Sequence, residues 1–533
     1  MPERRSCSPN EPTSANPIAW TERLARALTR PEAYPHGVNR VDMRQTQMSL
    51  LFFAGDFVYK VKKPVNLGYL DYSTLAERQR LCHQEVLLNR RLCPDIYLGV
   101  VPITEQAGNL RLEAAGDAVE YAVKMRLLPQ DKMLDQLITS GLADQSMMQR
   151  IAARVALFHS SAETSPHITS FGGIATISHN TNENFSQTEP FIGRTITPAT
   201  HASLRLYANA CLGQHRALLQ QRVDEGRIRD CHGDLHAAHV CMTEDVCIYD
   251  CIEFNERFRY GDVASEVAFL AMDLDRLRST ALSRAFVNSY VGMSGDNGVA
   301  TLLPFYACYR AMVRGKVEGF KLSDPLIPRD ERHAATWLAR TYFELARRYA
   351  AGSGLLVLMS GVTATGKSLV ASRLGELLAG SVFSSDVVRK RLAGLQPEER
   401  AYEPFGHGIY SSAWTRRTYD ELLQLATPIL ADGGCVILDA SFLRQAERER
   451  AGDVAAGTNS RLALIECNAP LEVLRARLAT RASSRGASDG RAEILTGQMD
   501  IKEPVQPLPG WSYVTIDTSS CIEYVMEEIW RQI

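Results

Sequence analysis

The chain has 533 residues, a length at which one core gives way to two or more domains. Its hydrophobic content of 45%, charged content of 23% and formal net charge of -2 are those of an ordinary globular protein and give no clear nucleic-acid signal. No apolar run approaches the roughly 20 residues of a membrane span, the N-terminus lacks a signal-peptide core, and the 12 cysteines form no CxxC pair, so a cytoplasmic protein without membrane partner or disulfides is expected.

Residues 1–18, polar and rich in proline, read as a disordered N-terminus. "MSLLFFAG" and "FVYKVKK" then read as two strands of a hairpin, joined through Gly55 and Asp56. Ser73 to Leu92 carries helical spacing, with Leu75, Leu81, Val86, Leu88 and Leu92 among its apolar positions. "YLGVVPI", "NLRLEA" and "EYAVKMRLL" are further short strands, and long helical patterns follow, giving a strand-rich lobe before a helix-rich one. Asp330 to Tyr349 predicts one long helix, and "AAGSG", Ala350 to Gly354, a linker.

Beyond the linker, apolar strands at 355–359, 381–385, 435–440, 462–466 and 513–517 alternate with helices, including 368–380 and 470–484. That alternation predicts a parallel sheet covered on both faces. The expected fold is α/β and α+β, with domains at 19–350 and 355–533.

The most specific motif is "GVTATGKS", comprising Gly361, Val362, Thr363, Ala364, Thr365, Gly366, Lys367 and Ser368, placed between an apolar strand and a helical pattern. It satisfies G-x-x-x-x-G-K-[ST]: the glycines let backbone N–H groups face a phosphate chain, Lys367 reaches the β/γ-phosphates and Ser368 offers a hydroxyl to Mg²⁺. Asp439 ends the strand "CVILDA", where a carboxylate can join the magnesium shell; capping a helix is the plainer alternative. Asp386 and Arg389, in "SSDVVRKRL", lie at the carboxyl edge where open α/β sheets bind ligands, and N-capping explains Asp386 equally well. "LRARLATRASSRG" carries Arg475, Arg477, Arg481 and Arg485, either a solvated helix face or a lid.

On these motifs, residues 355 to about 520 resemble the small P-loop kinases of the gluconate, shikimate and polynucleotide kinase type. The resemblance implies that Asp386 and Arg389 face the acceptor and that Arg477 and Arg481 form the lid over the nucleotide.

"DCHGDLHAAHVC", Asp230 to Cys241, allows two readings. As a zinc site it offers Cys231, His232, His236, His239 and Cys241, but residues alternating along a loop are not expected to converge, and no second ligand pair closes the site. As a catalytic loop it resembles H-x-D-x-x-x-x-N of protein kinases and aminoglycoside phosphotransferases, followed by Asp250 after two short strands. That resemblance makes Asp234 the residue that accepts or orients the acceptor hydroxyl and Asp250 the Mg²⁺ ligand. It implies a Lys–Glu pair holding nucleotide phosphates, drawn from Lys60, with Lys62 on the same strand face, and Glu85. It also puts an interlobe hinge at "KMRLLP", residues 124–129, and has Asp262 and Glu266 bracing the loop, although acidic residues in a first helical turn read the same way.

One position departs from that pattern: His239 stands where the family places the Asn that ligates a second magnesium, and Glu253 or water is left to complete the shell. Extended over residues 20 to 525, the chain resembles a bacterial two-domain family, an aminoglycoside-phosphotransferase-like domain fused to a P-loop kinase-like ATP-binding domain. The expected activity is ATP-dependent transfer of the γ-phosphate to a hydroxyl of a small-molecule acceptor, with Mg²⁺ at two sites. The alternative is an ATP-driven P-loop switch whose N-terminal domain only recognises a ligand.

Overall fold

The period-2 pattern of "FVYKVKK" builds the centre of a six-stranded antiparallel sheet. In the computed structural model, which describes residues 16–324, 327–396, 399, 406–481 and 492–532, its strands are β1 (Val41–Gln45), β2 (Ser49–Ala54), β3 (Phe57–Lys62), β4 (Tyr97–Gln106), β5 (Asn109–Leu112) and β6 (Ala118–Arg126). Their order is β1-β2-β3-β6-β4-β5. Ala54 pairs with Phe57, so the expected two-residue turn at Gly55 and Asp56 joins β2 to β3.

Alternation gives β3 two different faces. Tyr59 and Val61 enter a cluster with Trp20, Leu24 and Leu28 of the helix Pro17–Leu28. That helix takes in residues 17 and 18 of the stretch read as disordered; residues 1–15 lie outside the described ones. Val58 packs on the opposite face with Cys82 and Val86 of the helix Leu75–Asn89, and Lys60 and Lys62 share Val58's parity. Thr74 caps that helix by accepting the Glu77 N–H. Arg78 is fully buried on it and pairs with Glu120 of β6 at 2.8 Å, while the Trp20 indole N–H donates to the same carboxylate at 3.1 Å.

Two short ladders carry the loop regions that follow. β7 (Ile228–Asp230) pairs with β10 (Tyr260–Asp262), and between them β8 (Val240–Cys241) pairs with β9 (Cys247–Ile248). Contrary to the expectation of no disulfide, Cys93 is bonded to Cys247, 154 residues away, with their Cα atoms 4.9 Å apart. The turn after the helix Leu75–Asn89 meets β9 only through tertiary packing, which cysteine spacing does not display.

The parallel sheet is present as expected: β11 (Leu355–Ser360), β12 (Ser381–Ser384), β13 (Cys435–Asp439), β14 (Arg461–Asn468) and β15 (Trp511–Asp517) in the order β12-β13-β11-β14-β15. Buried residues alternate between its faces. Val357 and Met359 pack with the helices Lys367–Leu377 and Ile522–Gln532, while Leu356 and Leu358 pack with the helix Ser412–Ala431. Both faces are therefore dry, as near-continuous apolar strands require.

The chain divides into two compact units. One holds the described residues up to 176 with 217–270 and 285–300; the other holds 177–216, 271–284 and the described residues from 301 onward. The long helix expected at 330–349 is Arg329–Ala351, and it lies in the second unit, where Trp337 packs against the parallel-sheet core and Arg340 pairs with Glu527 at 2.5 Å. Among the described residues, no helix is long and apolar enough to cross a membrane.

Candidate active sites

In the first unit, β3 presents Lys60 to two carboxylates. Its ammonium lies 2.6 Å from Asp250 Oδ1 and 2.9 Å from Glu85 Oε1. Burial pulls the Lys60 pKa down, but Asp250, Glu85 and Glu253 outweigh it and hold the group well above its ordinary range. Burial works against the charge of Asp250 too, and Lys60 followed by His239 overcomes it, leaving the carboxyl well below its usual range. Asp250 adopts a left-handed backbone, φ 64°, sparsely populated by residues with a Cβ, directly after β9.

Lys62, two residues along the strand, has a different environment. It is fully buried, and its ammonium donates to Glu85 Oε2 at 2.5 Å, to Tyr72 OH at 3.2 Å and to Glu253. Tyr72 also donates to Glu253. The expectation that Lys62 joins Lys60 at the nucleotide is thus corrected: desolvation is tolerable for its charge only because two carboxylates and a phenol enclose it. Glu253, expected as a possible filler of the metal shell, is one of those carboxylates.

The loop "HGDLHAAHV" is held from behind. Gly233, φ 88°, leaves no room for a side chain, since a Cβ would lie 2.8 Å from the Phe258 carbonyl. Glu266 accepts the N–H of His232 at 2.8 Å and of Gly233 at 2.7 Å, and His159 contributes a third hydrogen bond at 2.8 Å. Burial opposes the Glu266 charge, yet these donors bring its pKa to about 2. His159 is in turn joined to Tyr290 OH at 2.8 Å. Asp262 sits elsewhere, paired with buried Arg222 at 2.6 Å and capping the Ala264 N–H, so of the two acidic residues Glu266 alone touches the loop backbone. No local pattern announced His159 or Tyr290; they come from helices far along the chain.

The histidines are sorted by hydrogen bonding. His232 is buried, its Nε2 3.0 Å from the Tyr249 carbonyl and its Nδ1 accepting the Asp234 N–H at 3.3 Å. His239 Nδ1 is 3.0 Å from the Asp234 carbonyl, and its Nε2 is 3.6 Å from Asp250 Oδ2. The His236 ring lies on that of His239, centroids 3.8 Å apart, with its Nε2 3.6 Å from Asp234 Oδ2. Burial, reinforced by His236, lowers the His239 pKa to about 4 against the pull of Asp234 and Asp250. The expected failure to converge is overturned in part, because Asp234, His236 and His239 offer ligand atoms within 4.8 Å of one another. Cys231 and Cys241 do not join them; both are buried thiols.

In the second unit, the P-loop follows the central strand β11 and leads into the helix Lys367–Leu377. At Gly361, φ 135°, a Cβ would stand 2.4 Å from the Cys467 carbonyl, and Ala364 and Gly366 also take positive φ. Val362 and Ala364 anchor the loop in a small apolar cluster with Leu443, Leu474 and Leu478. Lys367 Nζ donates to the Val362 carbonyl at 2.7 Å, within the loop itself, and Ser368 is exposed on the first helical turn. The Thr363 N–H is taken by the Gln498 side chain at 2.6 Å. Asp439 is buried at the end of β13, next to β11 in the sheet.

Three expectations change here. Arg389 is buried and donates to the Ile409 carbonyl at 2.8 Å and to Thr415 at 3.3 Å, so it ties helices together instead of facing an acceptor. Arg477 lies on the loop, donating to the Ala364 carbonyl and Thr518 Oγ1, each at 3.2 Å. Thr518, which sequence reasoning passed over, also donates to the Thr365 carbonyl at 2.7 Å. Asp386 lies in the first turn of the helix Ser385–Leu392, and Arg475 is exposed. The Arg481 side chain and Arg485 lie outside the described residues.

Two family models match the chain, the "Phosphotransferase enzyme family" over residues 102–301 and the "AAA domain" over residues 356–504. The "Uncharacterized protein Rv2004c" of Mycobacterium tuberculosis is 31% identical over 455 residues, 85% of this chain and 88% of that protein. The "Uncharacterized protein Mb2027c" of Mycobacterium bovis gives the same figures, 31% over 455 residues, with 85% and 88% covered. Among solved structures, a choline/ethanolamine kinase family protein from Mesorhizobium loti is 11% identical, covering 62% of this chain and 98% of its own at a TM-score of 0.38. A gluconokinase from Sinorhizobium meliloti is 18% identical, covering 34% of this chain and 90% of its own at a TM-score of 0.24. Matched along most of its length by the mycobacterial proteins, the chain belongs to their family, in which a phosphotransferase-family domain precedes a P-loop kinase-like domain.

Proposed function

We propose that the chain is a bifunctional phosphotransferase with two ATP sites, one in each of the segments 19–350 and 355–533, acting on small-molecule hydroxyls in the cytoplasm. The observation that carries the reading is Lys60 bonded to both Glu85 and Asp250, beside the loop that bears Asp234. A lysine so fixed, with a metal-binding carboxylate on one side and an anchoring glutamate on the other, suits the α- and β-phosphates of ATP. Asp234 accepts the acceptor proton as its oxygen forms a bond to the γ-phosphorus, and the bond from that phosphorus to the β,γ-bridging oxygen breaks to release ADP.

The donor sets for magnesium differ between the sites. Ser368 and Asp439 are both oxygen ligands at the carboxyl edge of the sheet, and that chemistry fits Mg²⁺, which supplies charge neutralisation to the phosphates when bound. Lys367 then leaves the Val362 carbonyl for the phosphates, and Arg477 supports the loop beside them. Asp386, at the same sheet edge, is proposed to orient the second acceptor.

Nucleotide stoichiometry of the full chain tests this reading. Two ATP equivalents are expected, falling to one with Lys367→Ala and to one with Asp250→Asn. Binding by the P-loop alone, unchanged in Asp250→Asn, would instead favour the reading in which the N-terminal domain is a recognition module, to which His239 at the Asn position lends its weight.

A further inference from the structure

Resting on the nucleotide site proposed for the first unit, we infer that this site holds a borderline divalent transition metal, of the Mn²⁺, Co²⁺ or Zn²⁺ class, in preference to Mg²⁺, through His239 Nε2 and Asp250 Oδ2. Those two atoms are 3.6 Å apart, too far for a hydrogen bond. Two ligands on one ion, with bonds of about 2.0–2.1 Å, stand roughly 3.0–3.4 Å apart, so a shift of a few tenths of an ångström closes the pair on a metal.

The tautomer is already set for that role. His239 Nδ1 donates to the Asp234 carbonyl at 3.0 Å, which puts the ring's lone pair on Nε2, facing Asp250. A ring nitrogen ligating a metal commonly has its other N–H fixed by a carbonyl in this way. The ring's position is further fixed by His236 stacked on one side, at 3.8 Å between centroids, and by Tyr249, 5.6 Å away. Asp250 reaches the ion from a left-handed backbone whose conformation exists only because the surrounding contacts impose it.

Ligand chemistry then decides the ion. Mg²⁺ takes oxygen at near-octahedral geometry and accepts imidazole poorly, whereas imidazole suits the later first-row ions and raises affinity along the series from Mn²⁺ toward Cu²⁺. With one nitrogen and one carboxylate from the protein, the remaining positions fall to phosphate oxygens and water. His236 and Asp234, within 4.8 Å of His239, form the polar wall next to the ion.

The test uses the full chain carrying Lys367→Ala, which leaves the first unit as the nucleotide site, and compares it with the same chain carrying His239→Asn as well. Co²⁺ is titrated with and without ATP while visible absorption is recorded, and ATP affinity is measured separately with Co²⁺, Mn²⁺ and Mg²⁺. The expected result is a visible Co²⁺ spectrum of a nitrogen-bearing site that disappears in His239→Asn, with ATP held about tenfold or more tightly with Co²⁺ or Mn²⁺ than with Mg²⁺. In His239→Asn that preference should vanish or reverse. Equal ATP affinity with all three ions in both chains overturns the metal inference and leaves the nucleotide site standing. A His239-dependent Co²⁺ spectrum without ATP binding supports the metal and sinks the nucleotide site; the absence of both sinks the two together.

Discussion

The carboxylate of Glu266 accepts the backbone N–H of Gly233 at 2.7 Å, and so holds the catalytic-type loop from its buried side. Because two backbone donors and His159 converge on one charged group, an amide cannot replace it without leaving a donor facing a donor. Glu266→Gln should lose about 2–3 kcal/mol of stability in urea unfolding. It should also weaken nucleotide binding at the first unit while leaving the P-loop site unaffected. An unchanged urea midpoint would show that the loop is held by other contacts.

The same carboxylate gives a pH dependence. Its folded pKa of about 2 lies below the ordinary glutamate value, so its contribution is complete above roughly pH 4.5 and is lost as pH falls toward 2. His239 acts in the same direction over a higher window. Its folded value of about 4 is below its ordinary 6.5, so acid protonates the unfolded chain first and stability falls between those values. Unfolding free energy measured from pH 7 down to 3 should therefore decline in two stages. Glu266→Gln should flatten the lower stage, and His239→Asn the upper one.

Arg78 and Glu120 form a buried ion pair beneath the antiparallel sheet. Removing one member leaves the other charged and dry, so Arg78→Met should cost about 3–5 kcal/mol. Adding Glu120→Gln, which keeps an acceptor for Trp20, should restore most of that loss. A double variant as unstable as Arg78→Met alone would mean that packing volume, and not charge, sets the cost.

Gly361→Ala tests the P-loop by sterics alone. The new methyl would meet the Cys467 carbonyl at 2.4 Å in a backbone region that alanine avoids. ATP stoichiometry should drop by one equivalent, with the first unit's site intact. Retention of both equivalents would show that the loop can be rebuilt around the methyl.

Much of this architecture was legible because its signals are local. The P-loop is eight contiguous residues between an apolar strand and a helix, and the five parallel strands are short apolar runs whose burial needs no distant information. Lys60, Glu85, Asp234 and Asp250 could be found by their order and context. What was illegible is what depends on tertiary neighbours. Nothing in "FVYKVKK" separates Lys60 from Lys62, since both have the same parity; the difference is Glu253 and Tyr72, which close over Lys62 alone. Arg389 looked like an acceptor ligand until Ile409 and Thr415 were seen to satisfy it. The disulfide partners and the Tyr290–His159–Glu266 chain are likewise far apart in sequence, and no periodicity encodes them.

The two oxygens of Glu85 go to different lysines, Oε1 to Lys60 and Oε2 to Lys62. In protein kinases the helix bearing the equivalent glutamate is the moving part of a switch, swinging out to break its single lysine contact. Here the same swing would strip a fully buried ammonium of its counter-charge, a far larger penalty than parting one surface pair. The helix Leu75–Asn89 is consequently a poor lever for turning this site on and off. Control over phosphate transfer, where it exists, has to act on substrate or metal arrival, with the lobe itself standing permanently assembled.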